Sequence, residues 1–191
     1  MGFDLDAMNI TIRATPDKPG GAAYDISIPD DIRFHGNFMD GFEGARGWWH
    51  ELGHAVHMKE VKEKELPFKE LPFERALSEG VGEVFGAIVR DANWVTHEFP
   101  DLSKEQLDSY IAATKAMDAL MVRHNCYHTR LELSLYQGQL DLERLASIHE
   151  EIFGIAPKYG PAYPLYIYLG RPLYVWEYVM STSVTETFLA R

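Results

Sequence analysis

Residues 48–57 read Trp48-Trp49-His50-Glu51-Leu52-Gly53-His54-Ala55-Val56-His57, a stretch that contains the pattern His-Glu-x-x-His. Its leucine, alanine and valine residues and its lack of proline predict a helix. In a helix, His50 and His54 lie one turn apart on the same face, with their Cβ atoms roughly 5–6 Å apart. Gly53 is the weak point, because glycine costs ~1 kcal/mol relative to alanine in a helix interior. A glycine here predicts that another segment packs closely against the helix.

Two imidazoles at this spacing can bind one zinc ion, and Glu51 between them can take a proton from the attacking water. A catalytic zinc needs three protein ligands and keeps its fourth position open for water or substrate. The stretch therefore predicts one Zn²⁺ per chain and a third ligand elsewhere in the sequence. The competing interpretation is a helical protein in which the motif occurs by accident and no metal binds.

The best third ligand lies in residues 73–89, which read as a second apolar helix with isolated carboxylates. Glu79 and Glu83 are spaced i to i+4 and share one face of that helix. We assign Glu79 to the metal, with Glu74 and Glu83 as the alternatives. Glu83 is then expected behind the ligands, where it accepts a hydrogen bond from the free ring nitrogen of a ligand histidine.

Two assignments near the ligands have competing roles. Glu83 could instead form an ion pair with Arg90 or Lys69. His57 follows His54 by three residues on the same helix face. It is either a hydrogen-bond partner behind the ligands or a histidine that packs in the core.

The two motifs together resemble those of the gluzincin zinc metallopeptidases, and their surroundings are similar to the thimet oligopeptidase and oligoendopeptidase F family. The angiotensin-converting enzyme and carboxypeptidase Taq groups are more distant resemblances. The likeness covers the chain from about residue 29 onward, and it is carried by residues 29–33, 41–43, 50–57, 123–132 and 163–168. The resemblance implies a mainly α fold, namely a helical zincin-type catalytic domain. It also implies His50, His54 and Glu79 as zinc ligands and Glu51 as general base and then general acid.

The resemblance also implies roles for the tyrosine-rich segment. Tyr168 stands where the family keeps a tyrosine that donates a hydrogen bond to the tetrahedral oxyanion, and Tyr166 is its substitute. A phenol suits this role because its hydrogen bond strengthens as the carbonyl oxygen gains charge. Tyr163 and Lys158 are expected to contact the substrate. The competing role for each tyrosine is that of a core residue with a satisfied hydroxyl.

The chain departs from the family at residues 155–162, where relatives usually carry a histidine and this sequence has none. Lys158 or Tyr159 stands nearest that place, and the flexible stem of lysine makes it a poorer positioner than a ring. Two functions therefore follow from the sequence. The first is a zinc-dependent peptidase that hydrolyses peptide bonds in short peptides. The second is a zinc-stabilised, inactive module that binds peptides or a partner subunit.

Length and composition favour one enzyme domain over residues 1–191. Family members are several times longer, so the chain resembles their catalytic C-terminal portion without the N-terminal lobe. Apolar surface that the missing lobe would cover is then exposed, and we expect self-association to cover it. The net charge of −11 argues against nucleic-acid binding, which needs a basic face. No apolar run reaches the ~18–20 residues of a membrane helix. The N-terminus lacks a signal-peptide pattern, so we expect a cytoplasmic protein without membrane contact.

Local patterns predict the remaining elements. Residues 9–13 and 23–28 have strand character and flank the turn-rich residues 15–21, which predicts a short N-terminal β hairpin or edge strand. The competing interpretation of this region is an irregular loop. The edge of a hairpin here would offer backbone groups for pairing with an extended peptide. From Gly44 onward the pattern is helical. Capping and breaking residues predict one helix from Ser103 to about residue 138, a second between Asp141 and Gly154, and a closing helical region over residues 163–188.

Overall fold

The computed structural model describes residues 4–16, 20–37, 41–60, 72–158 and 172–190. The described chain is mainly helical with a small sheet near its N-terminus, so the predicted fold class is confirmed at that level. The elements are α1 (Leu5–Met8), β1 (Ile10–Ala14), β2 (Gly21–Ser27), β3 (Asp31–Gly36), α2 (Phe42–Glu60), α3 (Pro72–Gly86), a 3₁₀ turn (Ala87–Arg90), α4 (Ala92–Glu98), α5 (Lys104–Tyr136), α6 (Leu142–Phe153) and α7 (Tyr174–Leu189).

The sheet has the strand order β1-β3-β2, which corrects the predicted hairpin. Strands β1 and β2 do not pair with each other, because β3 lies between them, parallel to β1 and antiparallel to β2. The hairpin is therefore formed by β2 and β3. The physical reason is the alternating burial of β3, in which Ile32 and Phe34 are buried while Arg33 is exposed. A strand with one strongly apolar face takes the central position over the core.

Helix α2 packs its apolar face on this sheet. Leu52, Ala55 and Val56 of α2 form one buried cluster with Ile32 and Phe34 of β3. Burying a side chain of the size of leucine or phenylalanine contributes roughly 1.5–3 kcal/mol. This cluster therefore anchors the middle of α2, where the His-Glu-x-x-His pattern lies.

Glycines let the helices around the motif approach closely. A Cβ added to Gly53 would lie 2.9 Å from Cβ of Phe85 and 3.0 Å from Cα of Gly82, both on α3. A Cβ added to Gly80 of α3 would lie 2.9 Å from Cγ1 of Val184 on α7. The predicted close packing at Gly53 is confirmed, and α3 is held between α2 and α7.

The predicted ends of the later helices are also confirmed. The side chain of Ser103 accepts a hydrogen bond from the backbone of Gln106, which completes a capping box at the start of α5. Asp141 caps α6, and Gly154 ends it in the left-handed conformation at φ 73°. Helix α7 covers the described part of the closing region. Within the described ranges, every helix is too short or too polar to cross a lipid bilayer.

Candidate metal centre

Helices α2 and α3 bring His50, His54 and Glu79 together. Nε2 of His50 lies 3.0 Å from Nε2 of His54. Oε2 of Glu79 lies 3.4 Å from Nε2 of His50 and 3.6 Å from Nε2 of His54. These three residues form a group that could hold a metal ion, with donor atoms all within 4.8 Å of one another.

The size of this donor triangle suits zinc. Tetrahedral zinc with bonds of roughly 2.0–2.1 Å requires ligand atoms separated by roughly 3.3–3.4 Å. The three observed separations of 3.0, 3.4 and 3.6 Å bracket that value. Two histidine nitrogens and one carboxylate oxygen are also a donor set that leaves the fourth position of a catalytic zinc open.

Two further observations fit a bound cation. Oε2 of Glu79 is buried, and within the described residues it faces the two histidine ring nitrogens without a well-aligned hydrogen bond to either. A carboxylate oxygen in that state is costly unless a cation or donor compensates it. A Cβ added to Gly82 would lie 2.9 Å from Cε1 of His50 and 3.0 Å from Nε2 of His54, so glycine leaves the space beside the two rings open.

Each histidine turns its second ring nitrogen toward a different partner. Nδ1 of His54 lies 3.1 Å from Oγ of Ser78. Nδ1 of His50 lies 3.4 Å from Oε1 of Glu83, a close ion-pair contact. Glu83 therefore lies beside His50 at ion-pair distance, without the well-aligned hydrogen bond that the sequence led us to expect. No sequence pattern indicated Ser78. Partners of this kind fix the ring tautomer and leave Nε2 for a metal.

Glu83 pairs with an arginine that the sequence analysis did not consider. Nη2 of Arg46 on α2 donates to Oε2 of Glu83 at 2.6 Å. Arg90, the predicted alternative partner, instead pairs with Asp118 of α5 and lies 3.4 Å from Glu186 of α7. An ion pair of Glu83 with Arg90 is therefore not formed.

The charges of the centre shift the pKa values of its members in opposite directions. Burial would lower the pKa of His50, but contacts with Glu79 and Glu83 outweigh burial and raise that pKa to about 9. Burial would raise the pKa of Glu79, yet contacts with His50 and His54 lower it to about 2. Without metal, the ring of His50 therefore holds a proton between two carboxylates, and a metal ion must displace that proton.

Glu51 lies on the sheet side of α2. A Cβ added to Gly21, the first residue of β2, would lie 2.8 Å from Cγ of Glu51 and 3.2 Å from its Cδ. Burial raises the pKa of Glu51, while the charges of His50 and His54 lower it in part. A carboxyl group with a raised pKa can both accept and return a proton near neutral pH.

Two tyrosines of α7 reach the centre. The hydroxyl of Tyr174 donates to Oε1 of Glu79 at 3.5 Å, and it lies 2.8 Å from the hydroxyl of Tyr178. Burial and the negative charge of Glu79 raise the pKa of Tyr178, so its phenol stays protonated. The sequence analysis missed this pair, although its i, i+4 spacing is a visible signal.

The remaining predicted residues lie elsewhere or outside the described chain. His57 is half-buried and is not a member of the group formed by His50, His54 and Glu79. Lys158 is exposed beyond the end of α6. The predicted residues that lie outside the described residues are Tyr163, Tyr166, Tyr168, Lys69 and the side chain of Glu74.

A cavity of about 360 Å³ adjoins the centre behind His50. Of the three candidate ligands, His50 alone is part of its wall. Arg46, Glu83, Tyr174 and Tyr178 also line it. Glu83, which lies next to Nδ1 of His50, and its partner Arg46 therefore border the open space of this cavity.

Comparisons of the chain with protein-family models, with curated proteins and with solved structures gave no match.

Proposed function

We propose that the chain is a zinc-dependent peptidase of gluzincin type that hydrolyses peptide bonds in short peptides. The observation that carries the proposal is the triangle of His50, His54 and Glu79 donor atoms, with Glu51 beside the two histidines on α2. The dimensions of the triangle and the buried Glu79 oxygen that faces both histidine rings favour zinc over an accidental motif.

His50, His54 and Glu79 would hold the zinc ion, which would supply a Lewis acid to polarise the scissile carbonyl and acidify the attacking water. Glu51 accepts the proton of that water and passes it to the leaving amine. The burial that raises the pKa of Glu51 favours the first of these two transfers, because it makes the carboxylate a stronger base toward the water proton.

Among the described residues, Tyr174 and Tyr178 are the best candidates for the oxyanion donor. The resemblance implies this role for Tyr168. The hydroxyl of Tyr174 lies next to Glu79 and contacts that of Tyr178, whose raised pKa keeps its phenol protonated. A phenol that donates weakly to the substrate carbonyl donates more strongly once that oxygen carries charge. The pair would thereby stabilise the transition state more than the bound substrate.

Strand β2 is suited to hold an extended peptide. It is an outer strand of the sheet, and Gly21 at its start contacts the side chain of Glu51. A peptide that adds to this edge as a further strand is held by backbone hydrogen bonds, which are largely independent of side-chain identity. This arrangement would place a peptide bond close to Glu51.

The first test is the substitution Glu51→Gln. We expect stoichiometric zinc to remain, because Glu51 is not a ligand, and the cleavage rate to fall by ~10²–10⁴ because the proton acceptor is lost. Cleavage of a fluorogenic peptide library, with and without chelator, and elemental analysis measure the two quantities. Glu60→Gln, at the exposed end of the same helix, is the matched control.

Three results would contradict the proposal. Normal activity of Glu51→Gln would remove Glu51 from the mechanism. Stoichiometric zinc without any peptide cleavage would favour the inactive binding module. A purified chain that binds no zinc would leave the motif without a metal function.

A further inference from the structure

We infer that Arg46 is a positioning residue of the metal centre, which holds the carboxylate of Glu83 against Nδ1 of His50 and thereby strengthens metal binding. The inference rests on the proposed zinc function. Arg46 lies one turn before His50 on α2, and Glu83 lies one turn after Glu79 on α3. The contact between Arg46 and Glu83 therefore joins the two helices that supply the candidate ligands.

The geometry assigns one partner to each oxygen of the Glu83 carboxylate. Arg46 donates to Oε2 at 2.6 Å, while Oε1 lies 3.4 Å from Nδ1 of His50. The side chains of Arg46 and Glu83 are 21% and 22% exposed, so solvent screens their interaction only in part. Because Arg46 holds Oε2 by a hydrogen bond, Oε1 stays at ion-pair distance from Nδ1 of His50, and rotation of the carboxylate would break the Arg46 bond.

Removing Arg46 would free Glu83 from this orientation. A largely buried carboxylate without its cation is destabilised, and its oxygens turn toward available water. The cavity that borders both side chains offers such space. His50 would then lose the acceptor that orients its ring, and the loss of such a partner typically weakens metal binding by about 10–100-fold.

The main alternative role for Arg46 is general charge balance. Besides Glu83, the carboxylates of Glu43 and Asp118 act on Arg46. Asp118, however, receives its hydrogen bond from Arg90, which lines the same cavity. Arg90 therefore serves as a matched control, because it is an arginine of the same cavity that does not contact Glu83 or His50.

The first experiment measures zinc affinity by competition with a chelator. We expect Arg46→Met to weaken zinc binding by about 10–100-fold and Arg46→Lys to recover part of the loss. Arg90→Met should bind zinc like the wild type. The visible spectrum of the cobalt-loaded protein should change in Arg46→Met and stay unchanged in Arg90→Met, because that spectrum reports ligand geometry.

A double-mutant cycle tests whether Arg46 acts through Glu83. Glu83→Gln, Arg46→Met and the double variant are compared for zinc affinity, with far-UV circular dichroism on each. If Arg46 acts through Glu83, adding Arg46→Met to Glu83→Gln costs no further affinity. Fully additive losses would overturn the inference.

The outcomes separate this inference from the proposed function. Wild-type protein that binds zinc, together with Arg46→Met of equal affinity, would overturn the role of Arg46 and leave the zinc site standing. Wild-type protein that fails to bind zinc would overturn both.

Discussion

His50 is the most constrained side chain of the candidate centre, because its two ring nitrogens face two different carboxylates. Nε2 lies 3.4 Å from Glu79, and Nδ1 lies 3.4 Å from Glu83. His54 differs, since its Nδ1 meets the neutral hydroxyl of Ser78. The two histidines of one motif therefore have partners of different charge at Nδ1.

Zinc affinity should rise with pH. The pKa of His50 is raised from 6.5 to about 9, so below about pH 9 the metal-free ring keeps a proton that zinc must displace. We expect the apparent affinity to increase by up to about tenfold per pH unit toward pH 9, and then to level off. Chelator competition at a series of pH values measures this dependence. An affinity that is constant from neutral pH to pH 9 would contradict the protonated state of His50.

Removing the two hydroxyls next to Glu79 should slow the reaction. The double substitution Tyr174→Phe/Tyr178→Phe should lower kcat by ~10²–10³, in the range found when an oxyanion donor is lost, and leave zinc stoichiometry intact. Steady-state kinetics with elemental analysis checks both values. Tyr136→Phe, on the exposed end of α5, is the control and should keep wild-type kcat. Unchanged turnover in the double variant would exclude this pair as the donor.

Helices α2, α3 and α7 form the frame of the centre, and close packing sets their spacing. Gly53 of α2 packs against α3 so closely that a methyl group would not fit between the helices. Gly80 of α3 packs in the same way against α7. By contrast, a Cβ added to Gly47 of α2 would meet nothing within 4 Å. The same helix therefore holds one glycine required by packing and one that is not.

This contrast predicts opposite effects of alanine at the two positions. Gly47→Ala should stabilise the protein by up to ~1 kcal/mol, because alanine favours the helix and fills open space. Gly53→Ala should destabilise it by roughly 1–3 kcal/mol, because the new methyl group forces α2 and α3 apart. Urea denaturation of both variants measures the two changes. Equal effects would show that α2 and α3 do not approach as closely as described.

The candidate ligands lie on two helices, so metal binding at this centre would stabilise the folded chain. Zinc should bind the folded state far better than the unfolded chain, in which the ligands are apart. Free zinc at about 1,000 times its dissociation constant should therefore add ~4 kcal/mol to the free energy of unfolding.

For a chain of this length, that gain should raise Tm by roughly 8–16 °C. Differential scanning calorimetry with zinc and with excess chelator measures the shift. Glu79→Gln should show a much smaller shift, because it removes one ligand. An equal shift in the variant would mean that zinc acts at another place on the protein.

Sequence alone was enough to predict α2, α3, α5 and α6, together with the spacing of the candidate ligands on α2 and α3. Helical periodicity, capping residues and breakers are local, so His50 and His54 had to share a face once α2 formed. The same reasoning placed Glu79 and Glu83 on one face of α3 and bounded α5 and α6 correctly.

Contacts between elements could not be obtained in this way. The central place of β3 follows from the burial of its apolar face against α2. Three contacts of the centre join residues that are far apart in the sequence. Ser78 contacts His54 across 24 residues, Arg46 contacts Glu83 across 37, and Tyr174 contacts Glu79 across 95. These long-range contacts depend on which faces of the helices pack together and on how closely the glycines let the helices approach. No local sequence pattern determines that packing.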